Sequence, residues 1–171
     1  MLYHISDGIF VAIYAILYSA LEIEIEAQHG WAAKLPTVPM FGTKFTGYHI
    51  LMNITVIMSL AYALMPRGFF YGVFYIIAWF LIEDFCWFVI SPYYGLDKYN
   101  KKEVTWHGDN WPLGIPIHNY YGLAAMTTCA FLANDMELFI GALVMSCFVI
   151  LSILLTPKYH KLYYEAREKH K

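Results

Sequence analysis

The chain has 171 residues, of which 60% are apolar, 19% are aromatic and 14% are charged, and its formal net charge at pH 7 is −2. This composition predicts an integral membrane protein rather than a soluble one, and we expect no nucleic-acid partner. The three cysteines, Cys86, Cys129 and Cys147, stand isolated within apolar segments. This spacing excludes a disulfide framework and argues against a thiolate metal site.

Five apolar stretches follow one another along the chain, at roughly residues 5–24, 48–65, 69–90, 116–133 and 138–156. Each approaches the ~20 residues that a membrane-spanning helix needs. The predicted fold class is therefore an all-α integral membrane protein in which residues 1–157 form a compact bundle of five transmembrane helices. The long connections 27–47 and 91–115 are predicted to lie at the membrane interface, and residues 158–171 form a basic helical tail.

The distribution of lysine and arginine predicts the orientation of these helices. With the N-terminus outside and the C-terminus in the cytoplasm, ten of the eleven basic residues fall on the cytoplasmic side, and only Arg67 lies outside. Cytoplasmic connections carry such an excess of basic residues. We therefore expect a plasma-membrane protein whose basic tail contacts anionic lipid headgroups.

This topology brings most of the candidate metal ligands to the cytoplasmic end of the bundle. They are carboxylates and histidines of four segments: Glu22, Glu26, His29, His49, Glu83, Asp84, His107 and His118. On the first helix Glu22, Glu26 and His29 share one face, while Glu24 points the other way. The opposite end offers only His4, Asp7, Arg67, Asp135 and Glu137, none of which we expect to be surrounded by other candidates.

Glu83 and Asp84 carry the strongest functional signal because they lie inside an apolar stretch, roughly 10 Å from its end at ~1.5 Å per residue. An ionised carboxylate near the bilayer centre costs about 2.5 to 3.5 kcal/mol, and no lysine or arginine occurs at a matching depth. A bound cation is one way to neutralise the charge of these two carboxylates. Carboxylates with imidazoles suit Fe²⁺ or Zn²⁺, with Mn²⁺ as a further choice, and eight candidates exceed the needs of one ion.

Two local patterns bear on the type of metal site. Glu26 to His29 reads E-x-x-H, a spacing similar to that of di-metal carboxylate proteins built on helix bundles, although the sequence lacks a second copy. The H-x-x-x-H and H-x-x-H-H boxes of membrane fatty-acid desaturases and hydroxylases do not occur. Their absence argues against those families.

The predicted function is that of a membrane metalloenzyme, with one or two divalent ions and with Glu22 or Asp109 as general acid or base. The substrate is expected to be a lipid-soluble molecule that enters from the bilayer, with oxidation favoured over zinc-dependent hydrolysis. Two alternatives stay open: a component of a proton or metal-ion transporter, and a non-catalytic subunit of a membrane complex. The oligomeric state also stays open, a homo-oligomer included.

The predicted orientation can be tested with single cysteines introduced at positions 98 and 135. A membrane-impermeant thiol reagent added to intact cells should label position 135 and should leave position 98 unlabelled. The reverse pattern would contradict the topology and the placement of the candidate ligands at one end.

Overall fold

The computed structural model describes residues 1–26, 36–40, 43–104 and 107–169 of the chain. Five long helices dominate it: α1 (Leu2–Glu26), α2 (Gly47–Leu64), α3 (Phe69–Ile90), α4 (Ile117–Ala133) and α5 (Leu138–Tyr159). Two short strands, β1 (Thr37–Met40) and β2 (Thr43–Thr46), form an antiparallel hairpin before α2. The fold is thus helical as predicted, with a hairpin that sequence analysis did not predict.

Four helical segments are long and apolar enough to cross a membrane, namely Leu2–Glu26, Gly47–Arg67, Phe69–Ile90 and Leu138–Glu168. The remaining long helix, α4, has 17 residues. About 39% and 44% of the most apolar windows of α1 and α3 are buried inside the bundle, against 17% for those of α2 and α5. Therefore α1 and α3 form the centre, and the other helices expose apolar surface suited to lipid.

The centre of the bundle is filled by large side chains of α3. Phe74, Tyr75 and Trp79 are completely buried. Tyr75 and Trp79 contact α1, and Phe74 packs against Phe139 of α5. At Gly8 of α1 and Gly141 of α5 the two helices approach so closely that a Cβ atom added to Gly8 would lie 2.7 Å from the carbonyl oxygen of Gly141. Glycine at these positions therefore permits the contact between α1 and α5.

The end of the bundle that holds the N-terminus of α1 is more polar than the sequence suggested. The expectation that its charged residues are not surrounded by one another is wrong: His4 Nε2 lies 2.9 Å from Asp135 Oδ2, His4 Nδ1 lies 3.5 Å from Glu137 Oε2, and Arg67 Nε lies 3.0 Å from Asp7 Oδ2. The hydroxyl of Tyr71 also donates to Asp7 Oδ2, at 2.6 Å. The contacts form because the start of α1 and the turns α2–α3 and α4–α5 meet at this end.

The other end of the bundle carries the longer connections and the tail. Between α3 and α4 the described residues form turns and short 3₁₀ segments, and Val104 is fully buried. After α5 the chain continues through a π-helical turn (His160–Tyr164) into the short helix α6 (Glu165–Glu168). His160 Nε2 donates to the carbonyl oxygen of Ile90 at 2.6 Å, and this bond fixes the tail to the end of α3.

Candidate metal centre

Two adjacent carboxylates of helix α3 face different neighbouring segments of the protein. Successive residues of an α-helix point ~100° apart, so Glu83 faces α1 while Asp84 faces α4 and the connection before it. The hydroxyl of Ser19 on α1 donates to the backbone carbonyl of Glu83 at 2.9 Å. This bond fixes the level at which α1 meets α3.

The first set of ligand-type side chains, here called the Glu22 group, consists of Glu22, Glu26 and His49. One donor atom from each residue lies within 4.8 Å of the others, and His49 Nε2 lies 2.9 Å from Glu26 Oε1. Glu22 and Glu26 stand one turn apart on α1, and His49 enters from the first turn of α2. Glu83 adjoins this group because its carboxyl is a close neighbour of that of Glu22.

The orientation of His49 is fixed by Thr46, the residue that caps α2. The Thr46 hydroxyl accepts a hydrogen bond from the backbone N–H of His49 at 3.3 Å and lies 2.8 Å from His49 Nδ1. When Nδ1 carries the proton and donates to this hydroxyl, Nε2 keeps a free lone pair that points to the Glu22 group. Metal-binding histidines are oriented by such hydrogen bonds.

The second set, here called the Asp84 group, consists of Asp84, His107 and His118. His107 Nε2 lies 3.3 Å from Asp84 Oδ1, and His118 Nε2 lies 3.6 Å from Asp84 Oδ2. The two imidazole rings are 4.7 Å apart at their centroids. The side chain of His107 is 6% exposed and that of His118 is 43% exposed, so the group is open towards one side only.

Aromatic side chains enclose the Asp84 group from the side of the α3–α4 connection. The rings of Phe88 and Trp111 lie 5.9 Å and 6.1 Å from the His107 ring. Tyr99 packs against both Phe88 and Trp111, and its hydroxyl accepts a hydrogen bond from Asn119 at 3.4 Å. Burial, together with the nearby carboxylate of Asp84, raises the pKa of Tyr99 to about 12, so this phenol stays neutral beside the group.

No lysine or arginine side chain of the described residues forms an ion pair with the carboxylates of Glu22, Glu26, Glu83 or Asp84. Among the described residues, the ion pairs of lysine and arginine side chains go to Asp7, Asp109 and Glu24. Glu83 Oε1 and Asp84 Oδ2 are buried and have no hydrogen-bond partner in the described part of the chain. Buried charged oxygens without a partner are costly, so these atoms indicate that a cation or a proton belongs between the side chains.

The distances between donor atoms are compatible with a shared ion. Ligand atoms at 2.0 to 2.1 Å from a tetrahedral zinc ion are about 3.3 Å apart. The separation of Glu26 Oε1 from His49 Nε2 is 2.9 Å, and the separations within the Asp84 group are 3.3 Å and 3.6 Å. Because the 3.6 Å contact is too long for a hydrogen bond, it suits two ligands of one ion better than a direct bond.

The structure brings together seven of the residues that the sequence analysis selected: Glu22, Glu26, His49, Glu83, Asp84, His107 and His118. His29, the remaining predicted ligand, lies outside the described residues, and so does the end of the E-x-x-H pattern. Asp109, predicted as a general acid or base, is not brought to either group, because its side chain is 98% exposed and lies 3.6 Å from Lys101 Nζ. Glu24 points away as expected and pairs with Arg167 at 2.6 Å.

Sequence analysis missed Thr46 as a residue that positions the site. The signal was present, since a threonine directly before an apolar helical stretch is a common N-cap, and His49 is the third residue after it. Nothing in the sequence, however, indicates that the same hydroxyl also contacts a histidine ring.

The chain matches no family model, no curated protein and no solved structure. The function is therefore inferred from the residues and their geometry.

Proposed function

We propose that this protein is a membrane-embedded metalloenzyme that binds two divalent ions, one in the Glu22 group and one in the Asp84 group, with Glu83 between them. The observation that carries the proposal is the position of Glu83 and Asp84, which are adjacent in the chain and yet border two different histidine-containing groups. Two ligand sets that share one turn of a helix hold their ions close to each other, as in two-metal enzymes.

The charges of the site support two ions. Glu22, Glu26, Glu83 and Asp84 together carry four negative charges when ionised, and the three histidines are neutral when they bind metal through a ring nitrogen. Two divalent cations balance this set, whereas one leaves an excess of negative charge inside the membrane. Four carboxylates with histidines are also the donor set of bundle-type di-metal proteins.

The proposed topology has five spans, with the N-terminus outside and the metal groups at the cytoplasmic end of a plasma-membrane protein. Helix α4, with its 17 residues, is about 26 Å long at 1.5 Å per residue, which nearly matches a thin hydrocarbon core. An odd number of spans also keeps the basic tail and the α3–α4 connection on one side. The excess of lysine and arginine assigns that side to the cytoplasm.

Oxygen and nitrogen donors without thiolates suit iron, zinc or manganese, and the carboxylate-rich set favours iron and oxidation chemistry over zinc-dependent hydrolysis. The substrate is proposed to be a lipid-soluble molecule that enters from the bilayer. Helix α2, which contributes His49, exposes Leu51 and Ile54 two and five residues further along, so an apolar chain can lie against the helix beside the site. Asp109 has no role in this proposal.

The transporter alternative is disfavoured by the layer between the two polar ends of the bundle. His4, Asp7 and their partners lie at one end, and the metal groups lie at the other. Between them α1 and α3 contribute Val11, Ala12, Ala15, Phe74 and Ala78, all buried. In the described part of the chain these apolar side chains interrupt a polar pathway across the membrane.

Replacing Glu83 by glutamine should lower metal affinity by roughly tenfold or more while leaving the protein folded, since the amide removes the charge and nearly keeps the shape. Glu24→Gln is the matched control and should keep its metal, because Glu24 faces Arg167. Metal content after dialysis, with helicity by circular dichroism, measures both effects. A Glu83→Gln protein that is more stable and retains its metal would show that the carboxylate destabilises the fold and does not bind metal.

Replacing Thr46 by valine should weaken metal binding at the Glu22 group by roughly 10- to 100-fold, because His49 Nδ1 loses the hydroxyl that orients it. Thr46→Ser keeps the hydroxyl and should bind metal like the original protein. Zinc titration of both variants against a competing chelator gives the two affinities. Equal affinities for Thr46→Val and Thr46→Ser would show that the hydroxyl does not position a ligand.

A further inference from the structure

Tyr18 of α1 has a buried hydroxyl that belongs to neither the Glu22 group nor the Asp84 group. Its side chain is 6% exposed, and its oxygen has no hydrogen-bond partner among the described residues. A buried phenol normally finds a partner. The hydroxyl of Tyr18 is therefore available to a group bound at the site.

The position of Tyr18 points to the Glu22 group. Tyr18 precedes Glu22 by one helical turn and lies on the same face of α1. The carboxylates of Glu22, Glu83 and Glu26 are near enough to act on its hydroxyl electrostatically, yet the hydroxyl forms no hydrogen bond with any of them. A group that fits between these oxygens would contact the phenol and the carboxylates at once.

The ring of Tyr18 is held in place by Trp79. The two rings meet edge to face, with centroids 5.0 Å apart and an angle of 75° between their planes. Trp79 is fully buried and precedes Glu83 by one turn of α3. The aromatic pair thus lies one helical turn before the carboxylate pair Glu22 and Glu83 on α1 and α3.

We infer that Tyr18 is a further ligand of the ion held by Glu22, Glu26 and His49, binding it through the phenolate oxygen. This inference rests on the proposed function. Binding breaks the phenolic O–H bond and forms an oxygen–metal bond, and the proton is released to the surrounding water, so that Glu83 stays ionised. Phenolate is a hard anionic oxygen ligand, so it favours iron over zinc at this group.

Two other tyrosines serve as controls. Tyr14 lies one turn before Tyr18, packs 6.0 Å from the same Trp79 ring and stacks on Phe10. Tyr48 also lies near Glu22 and Glu26, but its ring is packed edge-on against His49 at 5.0 Å. Replacing any of the three by phenylalanine removes one oxygen and retains the ring.

The test is the visible absorption of the full-length protein in detergent, loaded with ferric iron. Phenolate bound to ferric iron gives an intense charge-transfer band that carboxylate and imidazole ligands do not give. We expect the band in the original protein, in Tyr14→Phe and in Tyr48→Phe, and its loss in Tyr18→Phe. Iron content and circular dichroism of each sample show that metal and fold are retained.

A band that survives in Tyr18→Phe, or one that disappears in Tyr48→Phe alone, would overturn the assignment. So would a protein that binds iron in a His49-dependent manner without any such band, and in that case the proposed metal site would stand. Iron that fails to bind, or that binds independently of both His49 and Glu83, would overturn the proposed function and this inference with it.

Discussion

Two adjacent carboxylates on the most buried helix impose the main constraint on this structure. Glu83 and Asp84 lie seven and six residues before the end of α3, at roughly 10 Å depth, and the described ion pairs of lysine and arginine side chains form elsewhere. Among the described residues, the carboxylates of Glu22 and Glu26 and the imidazoles of His107 and His118 approach them. Since carboxylates cannot neutralise one another, the arrangement requires cations or protons, and metal ions fit the donor types and distances.

The surrounding elements are placed so that histidines reach the Glu22 group and the Asp84 group from three directions. The hairpin β1–β2 ends at Thr46, which begins α2 and orients His49. The α3–α4 connection folds back over α3 and brings in His107 under the rings of Phe88 and Trp111. The first turn of α4 adds His118. Segments that differ in structure therefore converge on one turn of α3.

Much of this could be predicted from the sequence because charge inside an apolar stretch is rare. Glu83 and Asp84 could be identified from their position inside an apolar stretch, and Glu22 and Glu26 from their spacing of one helical turn. Because neighbouring residues of a helix point ~100° apart, Glu83 and Asp84 could be expected to face different neighbouring segments. The grouping into two sets could not be predicted, because it depends on how α3 is rotated towards α1 and α4. The contact between His4 and Asp135, which are 131 residues apart, and the exposure of Asp109 likewise depend on tertiary packing that local pattern does not encode.

The two ends of the bundle now have different physical roles. At one end, His4, Asp7 and Arg67 pair with partners of opposite charge or with a tyrosine hydroxyl, and these contacts hold three chain segments together. At the other end, the carboxylates of the two groups have histidine neighbours but no lysine or arginine partner among the described residues. Only the second arrangement leaves buried carboxylates in need of a cation or a proton, and it lies beside the exposed apolar surface of α2.

The most direct measurement is the number of metal ions bound per chain, by elemental analysis of protein purified in detergent without chelator. The two groups predict about two divalent transition-metal ions per chain. A chain that is folded and binds none, before and after incubation with iron, zinc or manganese, would contradict the account. The carboxylates would then be held by protonated histidines, and the cluster would be structural.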